Sequence, residues 1–192
     1  MEAITKNTKG LALDILTEAF EENPNLNWLI RKGGSRKENI RIICAHCLDL
    51  AMLKKGAYIS NNGQGVALVY KSTAVAPLLP ALPVHVRLAI RGIGLSRVPL
   101  VVLRRWEVSK LRPKEEHLYV QMLAVSKSSR SMAAAIDLRD GIYALSKELN
   151  LPLYAETSLE QNKKVFERYG FHQYQVFQPQ KAGFTLWFLK KP

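Results

Sequence analysis

Apolar positions recur at a helical interval from Lys9 to Phe20, where Leu11, Leu13, Ile15, Leu16, Ala19 and Phe20 gather towards one side. Asn23-Pro24-Asn25 interrupts that pattern, Leu26 to Ile30 is a short apolar piece, and Gly33-Gly34-Ser35 reads as a loop. Arg36 to Lys54 predicts a second helix, with Ile40, Ile43, Cys44, Cys47, Leu48 and Ala51 on one side and Gly56 as its C-terminal cap. A hairpin comes next. Ala57 to Ser60 and Val66 to Tyr70 are its strands, and Asn61-Asn62-Gly63-Gln64-Gly65 is the turn.

The stretch from Ser72 to Pro113 differs in kind. It holds five of the nine prolines, many Leu, Val and Ile residues, and scattered Arg. It predicts two helical segments, about Pro83 to Leu95 and Leu100 to Leu111. Three readings are open: a wall or lid over a binding groove, packing that covers one sheet face, or a membrane-surface helix carrying Arg87, Arg91, Arg97, Arg104 and Arg105. The second half then alternates. Strands are expected at His117 to Val125, Leu153 to Thr157, Gln173 to Phe177 and Phe184 to Leu189. Helices are expected at Arg130 to Leu149 and Asn162 to Tyr169. This alternation predicts an α/β fold: a mixed central sheet of six to seven strands with helices on both faces, and a helical excursion before the fourth strand.

At 192 residues and 47% hydrophobic, the chain suits one globular domain spanning 1–192. Two cysteines cannot build a disulfide framework. Cys44 and Cys47 with His46 between them are a lone Cys-x-x-Cys pair, which reads as two core thiols, and no metal is expected. The first ten residues carry no apolar leader, and Glu2, Asp14, Glu18, Glu21 and Glu22 oppose a transit peptide. The longest uncharged stretch, Ser72 to Val86, is too short to span a bilayer. A cytoplasmic protein with no membrane span is therefore expected. The net charge of +12 favours anionic partners. With no long Lys/Arg block and no nucleic-acid-binding motif, a polyanionic cofactor fits that charge at least as well as nucleic acid does.

The densest chemistry lies between His117 and Phe171. Ser126-Lys-Ser-Ser-Arg-Ser-Met-Ala-Ala-Ala135 joins a strand to a helix. Its residues are mostly small, Lys127 and Arg130 add positive charge, and a helix start offers unpaired N–H groups to phosphate. Further on comes Asn162-x-x-x-Phe166-x-x-x-Gly170-Phe171, soon after the strand Leu153-Tyr-Ala-Glu-Thr157. His117 is a lone histidine at a strand start, and His46, His85 and His172 form no cluster in the sequence.

This order of motifs resembles the GNAT superfamily of acyl-CoA-dependent N-acyltransferases, and within it the branch that contains puromycin N-acetyltransferase. The likeness is greatest over 117–177. It extends loosely to Ala19-Phe20, Asn23-Pro24, Trp28-Leu29 and Gly65-Val-Ala-Leu-Val69. The resemblance implies acetyl transfer from acetyl-CoA to a primary amine, small-molecule or peptide, by direct attack in a ternary complex. It implies main-chain contacts to the pantetheine arm from Leu123 and Val125. Arg130, Ser131, Met132, Ala133, Ala134 and Ala135 would surround the diphosphate, and Asn162 would reach the cofactor arm. Glu156, on the strand that borders the groove, is the candidate general base, with pairing to a lysine or capping of the loop as the structural alternative. A homodimer is open to such a chain.

Three positions depart from the family pattern. Ala133 stands where glycine is usual and Lys127 where proline is frequent. Phe166 stands where a tyrosine often protonates the leaving thiolate, which phenylalanine cannot do. Tyr169 is three residues on. Two alternatives therefore accompany the enzyme: a CoA-binding relative that acts through protein contacts without transfer, and a basic nucleic-acid-binding module.

Overall fold

The computed structural model describes residues 1–31, 33–127, 132–179 and 183–192. Seven strands form one sheet: β1 (Glu2–Ala3), β2 (Ala57–Ile59), β3 (Gly65–Lys71), β4 (Leu118–Val125), β5 (Leu153–Thr157), β6 (His172–Phe177) and β7 (Leu186–Lys191). Their order is β1-β2-β3-β4-β5-β7-β6. The β4–β5 pair is parallel and the other neighbours are antiparallel. The helices are α1 (Lys9–Phe20), α2 (Pro24–Leu29), α3 (Arg36–Leu53), α4 (Leu78–Arg87), α5 (Val98–Leu111), α6 (Met132–Leu149) and α7 (Glu160–Arg168).

Helices cover both faces. On one, Leu16, Ile40, Cys44 and Leu48 of α1 and α3 pack on Val66, Leu68, Met122 and Ala124. On the other, Leu138 and Ile142 of α6 pack on Ala67, Val69, Leu118, Val120 and Leu153. A Cβ on Gly65 would lie 2.8 Å from the Leu138 Cδ1 and 3.3 Å from the Ala134 Cβ, so glycine lets α6 settle close to the start of β3.

The fold matches the mixed α/β sheet expected from the pattern, with local differences. β1 is additional to that expectation, because two residues carry no periodicity. The first helix of the excursion starts at Leu78, not Pro83, and Pro83 sits inside it at the loss of one backbone hydrogen bond. A π-helical turn over 88–93 and a 3-10 turn over 95–97 link it to α5. Gly56 is not the left-handed cap of α3. That conformation belongs to Lys55 (φ 56°), while the N–H of Gly56 closes the end on Ala51 O at 2.8 Å. Glycine is needed there because a Cβ would fall 2.3 Å from the Val69 carbonyl oxygen.

Two features of β4 shape the surface beside it. Val69 opposes Val120 and Leu68 opposes Met122, so Gln121 is an extra residue and forms a β-bulge. Val120 faces α6, whereas Met122 faces α1 and α3. The bulge thus turns Leu123 and Val125 towards the α6 face. The second feature is a fork. β4 pairs with β5 only over Leu118–Val120 against Leu153–Ala155. Beyond that point the two parallel strands separate.

Candidate active site

The fork opens into a cleft of about 240 Å³. Leu123, Val125 and Val120 form its floor, Ala135, Arg139, Ile142 and Tyr143 its α6 wall, and Asn162, Val165, Phe166 and Tyr169 its α7 wall. Each wall results from helical spacing. Residues 162, 165, 166 and 169 occupy one face of α7, while Lys164–Glu160 (3.0 Å) and Lys163–Glu167 (3.5 Å) ion pairs run along it in i,i+4 register. Phe166 is held edge-on against Phe171, with ring centres 5.0 Å apart.

The floor also presents backbone. The N–H of Ser126 donates to Gln64 O beside β3 at 2.8 Å. Hydrogen-bonding direction alternates along a strand, so the main-chain groups of Val125 and Leu123 point the other way, into the fork. A mainly apolar slot beside a strand edge that β5 leaves unpaired beyond Val120 suits an extended arm that carries amides, which would add to β4 as another strand does.

Of the residues singled out in the sequence, Leu123, Val125, Ala135 and Asn162 meet at this cleft. Ala134 is buried on the inner face of α6, and Met132 opens that helix with 71% of its surface exposed. Ala133 is exposed on the first turn. Arg130 and Ser131 lie outside the described residues. Arg139 belongs to no motif of the sequence, although it follows Ala135 by one helical turn. It lines the cleft, pairs with Asp140 at 2.7 Å, and sits over the Tyr169 ring at 5.5 Å.

Glu156 lies one residue beyond the last residue of β5 that pairs with β4, and it remains paired with β7, on the opposite sheet face from α6. It pairs with Arg112 and not with a lysine. Arg112 Nε is 2.5 Å from Glu156 Oε1, and its Nη2 is 3.1 Å from Oε2. Nη2 also donates to the Tyr119 hydroxyl at 3.1 Å. Glu156 is 12% exposed and Arg112 34%. Burial pushes the Tyr119 phenol well above the usual tyrosine range, so it remains a protonated donor at neutral pH. A carboxylate has about four lone-pair sites, and the Arg112 guanidinium occupies two of those on Glu156.

The same face holds further polar groups. Arg104 is buried between the rings of Trp28 (4.2 Å) and Phe184 (4.9 Å), with Nη2 donating to Asn25 Oδ1 at 2.9 Å. Its Nη1 and the Gln121 Oε1 are buried atoms without a hydrogen-bond partner among the described residues. His46 and His85 form a pair after all, with His46 Nε2 3.1 Å from His85 Nδ1 across α3 and α4. Burial, then His85 and Arg105, pull His46 down to about 4. Cys44 is fully buried, and Cys47 accepts from Gln121 Nε2 at 3.8 Å. No group of three or more metal-ligating side chains occurs among the described residues.

Comparison with solved structures decides the fold. An acetyltransferase of Corynebacterium glutamicum, described as related to a histone acetyltransferase, superposes with a TM-score of 0.68 at 19% identity, covering 99% of this chain and 93% of its own. The fold is that of the GNAT acyltransferases. Arylalkylamine N-acetyltransferase 2 of Aedes aegypti shares it with a TM-score of 0.62, 14% identity, and coverage of 99% and 96%. So does the polyamine N-acetyltransferase of Drosophila melanogaster, at 0.61, 10% identity, 98% and 97%. No family model matches the chain, and no curated protein matches it. In this GNAT fold, the β4–β5 fork is the feature that separates the apolar cleft from the polar face around Glu156.

Proposed function

We propose that the chain is an acyl-CoA-dependent N-acyltransferase that moves an acyl group, acetyl in the simplest case, onto a primary amine. The observation that carries this reading is the fork, with an apolar cleft and outward main-chain groups on one side and Glu156 at its edge on the other. The amine acceptors named for the Aedes and Drosophila enzymes support the same class of acceptor here.

Leu123 and Val125 offer main-chain groups to the pantetheine arm, and Asn162 reaches it from α7. The strand N–H groups also polarise the thioester carbonyl. CoA supplies an activated acyl group whose C–S bond breaks as the new C–N bond forms. Glu156 receives the proton shed by the amine, directly or through a water held at its free lone pairs. Phe166 has no hydroxyl, so the departing thiolate takes its proton from water, which a leaving group of pKa about 8.5 permits. Tyr119 and Arg112 position Glu156.

A second reading has its own support. Arg112 grips both oxygens of Glu156 and Phe166 removes a proton donor, and both suit a CoA binder that transfers nothing. Thiol release from acetyl-CoA, followed across arylalkylamines, polyamines and amino acids beside calorimetry with CoA, separates the two. Amine-dependent release is the expected result. CoA binding with no release from any amine favours the binder, and absence of CoA binding removes both.

A further inference from the structure

Large apolar side chains left in water are concentrated in one stretch of the chain. Of the 17 exposed ones among the described residues, 11 lie between Val75 and Trp106. The remaining six are scattered, and three of them line the cleft, so the excursion carries the surface that has no role in the proposed reaction. On α4 and the π-turn, Leu78, Leu79, Leu82, Val86 and Ile90 recur at helical spacing and are 47–84% exposed. On α5, Leu100, Leu103 and Trp106 obey the same rule at 48–56%.

This surface is not poised to fold inwards, because its inner side is already anchored. Ala81 and Ile93 are buried, and a Cβ on Gly92 would lie 3.1 Å from Ile42 of α3. Arg31 N–H donates to Gly92 O at 2.9 Å, and Arg97 donates to the carbonyls of Trp28 and Ile30. The outer leucines therefore stand on a fixed platform.

Charge points to the occupant. Residues 72–113 contain seven Lys and Arg and a single acidic residue, Glu107. Arg97, Arg104 and Arg112 are engaged inside the protein and Arg105 lies towards His46, while Arg87, Arg91 and Lys110 are exposed along with the leucines. A second copy on this face would bring the same cations against themselves with only Glu107 to answer them. An anionic bilayer complements both the apolar and the basic character. Trp106, 56% exposed with the Lys110 ammonium 3.1 Å from its ring centre, has the amphipathic form suited to headgroup depth. Among the described residues no helix is long and apolar enough to cross a membrane, so contact of this kind stays at the surface.

We propose that the excursion formed by α4, the π-turn and α5 docks the protein on an anionic lipid bilayer, with its leucines and Trp106 entering the interface and Arg87, Arg91 and Lys110 meeting the headgroups. This holds whether or not the protein transfers acyl groups.

The test is co-sedimentation with vesicles of phosphatidylcholine alone and of equal parts phosphatidylcholine and phosphatidylglycerol. Binding to the anionic vesicles only, weakened by salt, is expected. Leu79→Glu with Leu82→Glu lowers partitioning by about ten-fold or more, and Arg87→Gln or Arg91→Gln by about five-fold each. These positions are exposed, and thermal melts check that the variants fold. In the unaltered protein, anionic vesicles shift tryptophan emission to the blue, and Trp106→Phe removes that shift. No binding to anionic vesicles at low salt overturns the proposal. Binding indifferent to Leu79 and Leu82 overturns insertion, leaving only surface charge. A dimer in sedimentation velocity that Leu79→Glu abolishes assigns the surface to a second copy instead.

Discussion

The two sides of the β4–β5 fork draw their polarity from different sources. On the α6 and α7 side the walls are mainly apolar, with Ile142, Val165 and Phe166 prominent, and the backbone along β4 adds to the few polar side chains there, Arg139 and Asn162 among them. On the other side it is carried by side chains: Arg112, Glu156 and Tyr119 in one network, Arg104 between two rings, and His46 against His85. Backbone donors recognise a chemical skeleton whatever residues carry them, so the first side suits a cofactor. Side-chain networks can be retuned one residue at a time, so the second suits an acceptor and the proton it sheds.

The contrast can be broken most sharply at Glu156. Glu156→Gln keeps the shape of the Arg112 contact and removes the proposed base. It should lower kcat by about 10²–10⁴-fold in a thiol-release assay while calorimetry finds CoA affinity unchanged. Equal loss of both would mean that the two sides are not separate. Ala135→Trp attacks the other side by filling the cleft. CoA affinity should fall by about 10²-fold, while the protein still melts cooperatively.

A third effect belongs to the Glu156 side alone. His46 is held down to about 4 by burial, below the ordinary 6.5. A depressed histidine leaves stability intact above about pH 6.5 and loses it as pH falls towards 4, because the unfolded chain takes up the proton first. The loss should reach about 2 kcal/mol by pH 5, a fall of about 4–8 °C in Tm, and His46→Gln should flatten that slope. An unchanged slope in the variant would assign the pH dependence elsewhere. The smallest effect is expected at Phe166. Phe166→Tyr adds a hydroxyl on the cleft wall and should raise kcat by no more than about ten-fold, most visibly below pH 8. A fall in CoA affinity instead would show that the ring edge against Phe171 is packed for the cofactor.

Legibility in the sequence divides along the same line. The cleft is built largely from local patterns: the strand character of β4, the spacing 162, 165, 166 and 169 on α7, and the small residues opening α6. Such patterns predict elements and faces directly, and Arg139 lies within reach of the same periodicity. The polar face is built across distance. Arg112 and Glu156 are separated by 44 positions, and His46 and His85 by 39, with no local signal to join them. The bulge at Gln121 is equally invisible, since the composition of β4 is that of an uninterrupted strand. Pro83 misleads because proline marks a helix start more often than an interior, and the excursion keeps it inside α4 at the loss of one hydrogen bond.

The most direct test of the two-sided fork is a crystal structure with CoA bound. The arm should lie along the free edge of β4, within hydrogen-bonding distance of the main chain of Leu123 and Val125, with Asn162 beside it. Its sulfur should end at the fork, near Glu156. CoA seated anywhere other than the β4–β5 cleft, or a sulfur pointing away from Glu156, would contradict the division of labour between cofactor side and acceptor side.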